Sequence, residues 1–372
     1  MSTPQAASPP PVQGWRKWRE AIRPWQGIIF FLGGFLWDSL TLVRIDRLMD
    51  NLLLLAYLSL LGGLLVVESR LLHRPEGWPE WLVSRASWLT DGIQFFFGGL
   101  LSAYVIFYFK SAPFGRSMIF LAFLVGLMVV NEFLNQRLRL DRARLPLYSF
   151  CCFSFLLFFI PVITGYAGGG IFTMAAVLAL AVTAVVGWAM NADIEVSRAM
   201  KLRRPLLVGA GVIATLFALD CAGLIPPVPL ALMGGGIFHG VDRTNDGYAL
   251  TYEKPPWYAF WRDDDSVFRW REGSRVMCFS AIFAPTGMKT EIVHVWEYYD
   301  PELGWTERSR IPFDVKGGRD GGFRGYTGKR NIVPGDWRVR VQTNDGRELG
   351  QFPLVVEPAP EGIPVWKTRF YQ

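Results

Sequence analysis

Long apolar runs alternate with short, arginine-rich polar stretches through the first part of the chain, and the runs stop after Pro226. Seven of them, at 27–44, 51–67, 92–109, 117–135, 146–164, 170–190 and 205–225, reach the roughly 17–25 residues that cross a hydrocarbon core. The pattern predicts an α-helical membrane domain of seven transmembrane helices over 15–226, behind a disordered N-terminus at 1–14. From about residue 240 the apolar period shortens to two. Trp337, Val339 and Val341 alternate with Arg338 and Arg340, an N-D-G turn follows at 344–346, and Phe352, Leu354 and Val356 return on one face, which predicts a hairpin. Further strands are expected at 275–284, 289–299 and 305–315, separated by turn-forming P-T-G and D-P-E-L-G. Short strands at this spacing predict an all-β immunoglobulin-like sandwich over 261–372, with 227–260 as linker and start of the exported part.

The membrane half carries an internal repeat. Trp15, Trp18, Ile22 and Trp25 form one stripe of a helix whose other positions hold Arg16, Lys17, Arg19, Glu20 and Arg23. Such a helix lies in the headgroup layer, rings inward and cations toward anionic lipid. Trp78, Trp81 and Trp88 repeat the tryptophan spacing, and Gly27, Gly33 and Gly34 are matched in order by Gly92, Gly98 and Gly99. Residues 15–70 and 78–137 therefore read as a parallel duplication of interfacial helix, entering span and return span. The paired glycines fit close helix packing or a transporter built from parallel halves; packing is the simpler reading.

Charge adds orientation. With the N-terminus cytoplasmic, the inner flanks hold Arg16, Lys17, Arg19, Arg23, Arg70, Arg74, Arg85, Arg137, Arg139, Arg142, Arg144, Arg198, Lys201, Arg203 and Arg204. The outer flanks hold only Arg44, Arg47, Lys110 and Arg116, so residues 227–372 are expected outside. The first run is too long for a signal-peptide core and lacks a small-residue cleavage site, so it is expected to stay. Basic and acidic residues balance beyond 226, which places the net charge of +6 in the membrane half. The high pI thus reflects topology and gives no support for nucleic acid as a partner. Of four cysteines, Cys151 and Cys152 lie inside a run, and Cys221 and Cys278 leave a bridge open.

Ionisable groups inside apolar runs are the sharper clue, because a charge in hydrocarbon costs several kcal/mol and has a partner or a task. Asp38, Glu132 and Asp220 qualify; Asp38 and Asp220, in the outer halves of their runs, read as a proton- or cation-handling pair open to the outer face or as groups near enough to an interface to reach water or an arginine, and Glu132 lies in the inner third of its run. No histidine lies in any run, and no His/Cys cluster has metal-ligand spacing, so no metal or cofactor is expected. In the exported part no G-x-S-x-G elbow accompanies His294, which is expected to be packed or hydrogen-bonded on an aromatic face. Asp263, Asp264 and Asp265 lack the spacing of a calcium loop and read as a solvated turn. Around them Trp257, Tyr258, Phe260, Trp261, Phe268 and Trp270 crowd together, to cap the sandwich, stack on sugars or enter outer headgroups.

The run VHVWEYYD followed by FRGYTGKRNIVPGDWRVRVQTNDGRELGQFPLVV resembles domain of unknown function 2914, a bacterial family with a V-x-H-x-W strand, an R-x-Y-S/T element and a P-G-x-W-x-V strand. These stand here as His294 and Trp296, as Arg324, Tyr326 and Thr327, and as Pro334, Gly335 and Trp337. The resemblance implies a multi-pass bacterial membrane protein and no particular reaction. With Tyr298, the motif residues His294, Trp296, Arg324, Tyr326 and Trp337 are the binding candidates of the exported part. The leading expectation is a non-enzymatic inner-membrane envelope protein whose periplasmic β-sandwich binds a protein, glycan or peptide. The alternative is a transporter or lipid-handling protein using Asp38, Glu132 and Asp220, and an enzyme comes third.

Overall fold

The computed structural model describes residues 35–36, 38–40, 46–112, 117–134, 143–166, 168–193, 195–245, 247–319, 321–360 and 364–371. The chain divides into two compact units, Met1–Val43 and Arg44–Gln372. In the first, the described residues are helical at 35–36 and 38–40. The expected interfacial helix at 15–25 and most of the first run lie outside the described residues.

The second unit begins with helices α1 (Leu48–His73), α2 (Ala86–Ser111), α3 (Ser117–Val129, continued by a π turn at Val130–Leu134), α4 (Arg144–Thr164), α5 (Gly169–Met190) and α6 (Arg198–Cys221). Among the described residues five helices are long and apolar enough to cross a membrane: α1, α2, α4, α5 and α6. The π turn interrupts α3, which leaves a shorter apolar helix there. The second copy of the interfacial helix is discontinuous. Pro75 opens a 3-10 turn, Pro79 precedes a single α turn at Glu80–Val83, and Trp88 already belongs to α2. A proline lacks the amide a helix interior needs, so two of them split the tryptophan stripe. Trp81 and Trp88 nevertheless remain exposed.

Gly33 and Gly34 lie outside the described residues, but two other glycines, Gly99 of the second pair and Gly62, stand where helices approach closely. A Cβ on Gly99 would stand 3.0 Å from the Tyr57 ring of α1, and one on Gly62 would stand 2.6 Å from the Tyr148 hydroxyl of α4. Deeper in the bundle Tyr104 donates to the Cys151 carbonyl at 2.8 Å, tying α2 to α4. At one end of the bundle Ser69 and Arg70 donate to the Met190 and Ala189 carbonyls, at 3.0 and 3.1 Å, joining α1 to the close of α5.

Strand structure begins earlier than the alternating pattern indicated. The strands are β1 (Ala231–Phe238), β2 (Gly240–Thr244), β3 (Gly247–Glu253), β4 (Val267–Trp270), β5 (Val276–Phe283), β6 (Lys289–Asp300), β7 (Gly304–Lys316), β8 (Phe323–Lys329), β9 (Gly335–Thr343), β10 (Glu348–Pro358) and β11 (Trp366–Tyr371). They form three sheets, ordered β1-β5-β8, β4-β10-β9-β6-β7 and β11-β3-β2. All pairs are antiparallel except β4 with β10. The first two sheets enclose a core of Ile237, Phe268, Val276, Cys278, Trp296, Trp337, Val339, Leu354 and Val356. The third covers the other face of β5, where Met277, Phe279 and Ala281 pack with Phe238, Leu250 and Tyr252. Buried on both faces, β5 reads as an apolar run broken only at Ser280 rather than an alternation. Among the described residues the all-β region thus has eleven strands in three sheets: the first two pack as the expected sandwich, and the third is an addition that the alternating pattern did not indicate.

The turn between β5 and β6 meets the helices. Thr286 donates from its amide and hydroxyl to the Asp46 carboxylate, at 3.3 and 3.1 Å, and the Lys289 amide donates to the Gly165 carbonyl at 3.4 Å. Gly317, just past β7, passes so close beneath this turn that a Cβ on it would lie 1.9 Å from the Pro285 carbonyl oxygen and 2.7 Å from that of Ala284. Both obstacles are backbone and cannot swing aside. Gly317→Ala is expected to lower stability by about 2 kcal/mol. Thermal unfolding of the detergent-solubilised chain checks this, with Gly63→Ala, whose Cβ meets nothing within 4 Å, as the neutral comparison.

Candidate functional site

His294 sits midway along β6 with no exposed surface, and both ring nitrogens are engaged. Nε2 lies 2.9 Å from the Ser280 hydroxyl of β5 and Nδ1 lies 2.9 Å from the Thr327 hydroxyl of β8. Trp296 donates its indole N–H to the same Thr327 oxygen at 3.3 Å, and the Phe313 ring closes the side at 4.8 Å. Serine and histidine within bonding distance suggest a nucleophile and its base. Here the serine, the histidine and the tryptophan are all sealed from solvent, and the threonine nearly so. Burial pushes the His294 ring down to about 3, so it stays neutral. The group is a clasp between two sheets.

The other motif residues also divide between core and surface. Trp337 is buried, donates to the Val333 carbonyl at 2.9 Å and packs on half-buried Tyr298 at 5.1 Å. Arg324 lies 5.7 Å from the centre of the Tyr371 ring, while Tyr326 is exposed beside Tyr248. As binding candidates His294, Trp296 and Trp337 are therefore corrected: the motif that named them places them in the core, buried from any partner. Cys278 belongs to the same core and all four cysteines are free.

In the helical half, Glu132 lies in the π turn after α3, partly buried, and its carbonyl accepts from Gln94 of α2 at 3.1 Å. Asp220 lies in the last turn of α6, within electrostatic reach of Arg347 and Asp345 at the β9–β10 turn. Among the described residues no hydrogen bond or ion pair joins Glu132 to Asp220. Asp38 is partly buried on the helical stretch 38–40 of the first unit. Among the described residues no group of three or more His, Cys, Asp or Glu side chains could hold a metal ion.

A different cluster stands out in the structure. After β3 the segment PPWYAFWRDDDS turns back toward β4, carrying a short 3-10 helix at Trp257–Ala259. The solvated-turn reading of its aspartates needs correction. Asp265 is 2% exposed and is held by the His239 ring Nδ1 at 2.7 Å, the His239 amide at 3.0 Å and the Glu253 amide at 2.9 Å. Burial still raises the Asp265 carboxyl above its usual range, against the pull of His239 and these amides. Neighbouring Asp264 is raised for the same reason, opposed by Ser266 and Arg262. His239 in turn stacks on Phe268 at 3.9 Å and meets Trp366 edge-on at 4.7 Å.

With its acidic end anchored, the loop holds its rings outward. Trp257 is 88% exposed, Phe260 80%, Trp261 69% and Tyr258 63%, so these four do not cap the domain, whereas Phe268 does enter the core. Beside them opens a cleft of about 230 Å³ lined by Glu253, Lys254, Tyr258, Arg262, Asp264 and Arg269 among others. Arg269 bonds Glu253 at 2.8 Å and Arg262 bonds the Ser266 hydroxyl at 2.6 Å. The cleft is polar and carries both signs, with Glu253, Asp264, Asp265 and Glu357 set among Lys254, Arg262 and Arg269.

Strand geometry places this cleft away from the helices. The Asp265 amide donates to the carbonyl of Ile237, near the far end of β1, and the Val355 amide of β10 donates to the Ser266 carbonyl, both at 2.8 Å. Ala231 follows α6 closely and Arg347 lies near Asp220, so each strand covers roughly 20–25 Å before reaching the cleft.

Apolar, membrane-length helices followed by an all-β domain define the class of protein. Within the β domain, residues 289–353 match the family described as Protein of unknown function (DUF2914). No curated protein matches the chain. Among solved structures, an immunoglobulin-like protein from Pseudomonas aeruginosa is similar at 14% identity and a TM-score of 0.22, covering 35% of this chain and 98% of that one. Pseudomonas fluorescens alkylpurine DNA glycosylase AlkC, bound to DNA containing an abasic site analogue, is similar at 11% identity and a TM-score of 0.21, covering 84% of this chain and 99% of that one. At these TM-scores neither likeness bears on fold or function.

Proposed function

We propose that the chain is a non-enzymatic bacterial inner-membrane protein with seven spans and a cytoplasmic N-terminus. Its periplasmic β domain binds an envelope partner through the aromatic loop. The observation that carries this reading is the set of four outward rings beside a polar cleft, at the end of the domain remote from the helices. Burying that much exposed aromatic surface is what a binding site gains from its partner. The topology is supported by which helix ends meet. Asp46 before α1 and Gly165 after α4 face the β domain, whereas the end of α1 meets the start of α4 and the end of α5. Those latter ends carry the arginine-rich flanks that stay in the cytoplasm.

Transport through Asp38, Glu132 and Asp220 has weaker support, because Asp220 is placed beside the charges of the β9–β10 turn. The test is photocrosslinking in living cells with a reactive residue at Trp257 or Trp261, against the same residue at Arg308 on β7. A discrete adduct at the loop positions alone is expected; equal labelling at all three sites, or none, overturns the reading.

A further inference from the structure

Resting on that reading, we infer that the cleft beside Trp257, Tyr258 and Trp261 is a saccharide site for a neutral, hydroxyl-rich glycan chain. Sugar rings present flat C–H faces and a rim of hydroxyls, so a protein holds them with aromatic faces plus side chains that donate and accept several hydrogen bonds at once. Both halves are present here. The Trp257 and Tyr258 rings meet nearly at right angles, 83° with centroids 6.0 Å apart, and Phe260 and Trp261 do likewise at 79° and 5.2 Å. Edge-to-face pairing steadies each ring without covering both of its faces. Tyr258 and Arg262 carry the loop into the cleft wall, so a chain stacked on the rings runs directly onto the polar groups.

Those groups favour hydroxyls over charged ligands. Arg269 is paired with Glu253, Arg262 bonds the Ser266 hydroxyl and Asp265 bonds His239, while Lys254, Asp264 and Glu357 complete a lining of mixed sign that gives no net pull to a ligand of one charge. Fork-shaped guanidinium and carboxylate groups retain further donor and acceptor positions when paired, and vicinal hydroxyls match that geometry. A peptide partner would instead be anchored by side chains in apolar pockets, and this cleft is lined mainly by charged residues. The roughly 20–25 Å of strand between helices and cleft favours an occupant other than the membrane of the same cell.

The experiment uses the full chain in lipid nanodiscs, titrated with chito-oligosaccharide and, separately, with cello-oligosaccharide. The two arms separate an N-acetylhexosamine chain from a plain hexose chain. Tryptophan fluorescence and calorimetry report binding. At least one sugar is expected to bind, and Trp257→Ala and Trp261→Ala are each expected to weaken it about tenfold. Arg269→Gln, which leaves the rings in place, should weaken it also, while Trp305→Ala at a separate exposed ring should not. Failure of both sugars, or unchanged binding in the loop variants, overturns the saccharide site. A protein adduct at position 257 together with failure of both sugars overturns this inference alone and leaves the proposed function standing.

Discussion

Acidification from pH 7 to pH 4 is expected to destabilise the β domain by about 3 kcal/mol through His294 alone. In the fold, burial lowers the ring from its ordinary 6.5 to about 3, whereas the unfolded chain regains the ordinary value. Above about 6.5 both states hold the ring neutral and its burial carries no penalty. As pH falls below that value the unfolded chain takes up a proton that the clasp excludes, so stability drops by about 1.4 kcal/mol per pH unit until the folded value near 3 is approached. The groups around the ring, Ser280, Thr327, Trp296 and Phe313, do not titrate in this range. Carboxylates add their own dependence on pH: at Glu297 burial raises the carboxyl, but hydrogen bonds from Arg340 and Arg338 together outweigh it and hold it low. His294→Gln isolates the histidine, because those carboxylates remain in both proteins. Thermal melts followed by the β-sheet circular dichroism signal should lose far more between pH 7 and pH 4 in the parent than in the variant. Parallel losses would show that the clasp takes up its proton without unfolding.

The helices of membrane-spanning length were legible because one physical requirement, a long apolar run, defines them. The runs at 51–67, 92–109, 146–164, 170–190 and 205–225 coincide with α1, α2, α4, α5 and α6. The hairpin of β9 and β10 was legible because each strand shows one face to the core and one to solvent, with N-D-G between them. Where that contrast fails, so does the reading. The glycine-rich β1 shows no alternation, and β11 pairs with β3 across more than a hundred residues of sequence, a contact that no local pattern encodes. The third sheet therefore went unseen, together with the reason β5 is buried throughout.

The candidate site was half legible. Its aromatic and acidic composition singled it out, but a turn between two prolines and three aspartates has no period from which exposure can be read. Asp263, Asp264 and Asp265 look equivalent in sequence. Only the fold separates an exposed Asp263, paired with Arg369, from an Asp265 held by His239 and two amides. The motif positions erred in the opposite direction. His294, Trp296 and Trp337 are polar-tipped and lie in the segment that matches the family, yet their polar atoms find partners inside the core.

Glu68 escaped the sequence reading altogether, because orientation is read from Lys and Arg and an acid at the end of an apolar run passes as flank. In the structure it is the hub of three helices. Glu68 of α1 accepts from the Thr90 hydroxyl of α2 at 2.6 Å and pairs with Arg144, the first residue of α4, and the pair is largely buried. Arg144→Met is expected to destabilise the helical region by about 3–5 kcal/mol, since it leaves a carboxylate among apolar helices without its cation. Glu68→Leu combined with Arg144→Met is expected to recover most of that loss, because the desolvation cost of both charges then disappears. Helical circular dichroism on heating the detergent-solubilised chain measures both. A double variant as unstable as the single one would mean that the pair itself contributes net stability. A single variant as stable as the parent would mean that water reaches Glu68 at the end of α1, and that α1, α2 and α4 are held together by their apolar and glycine contacts alone.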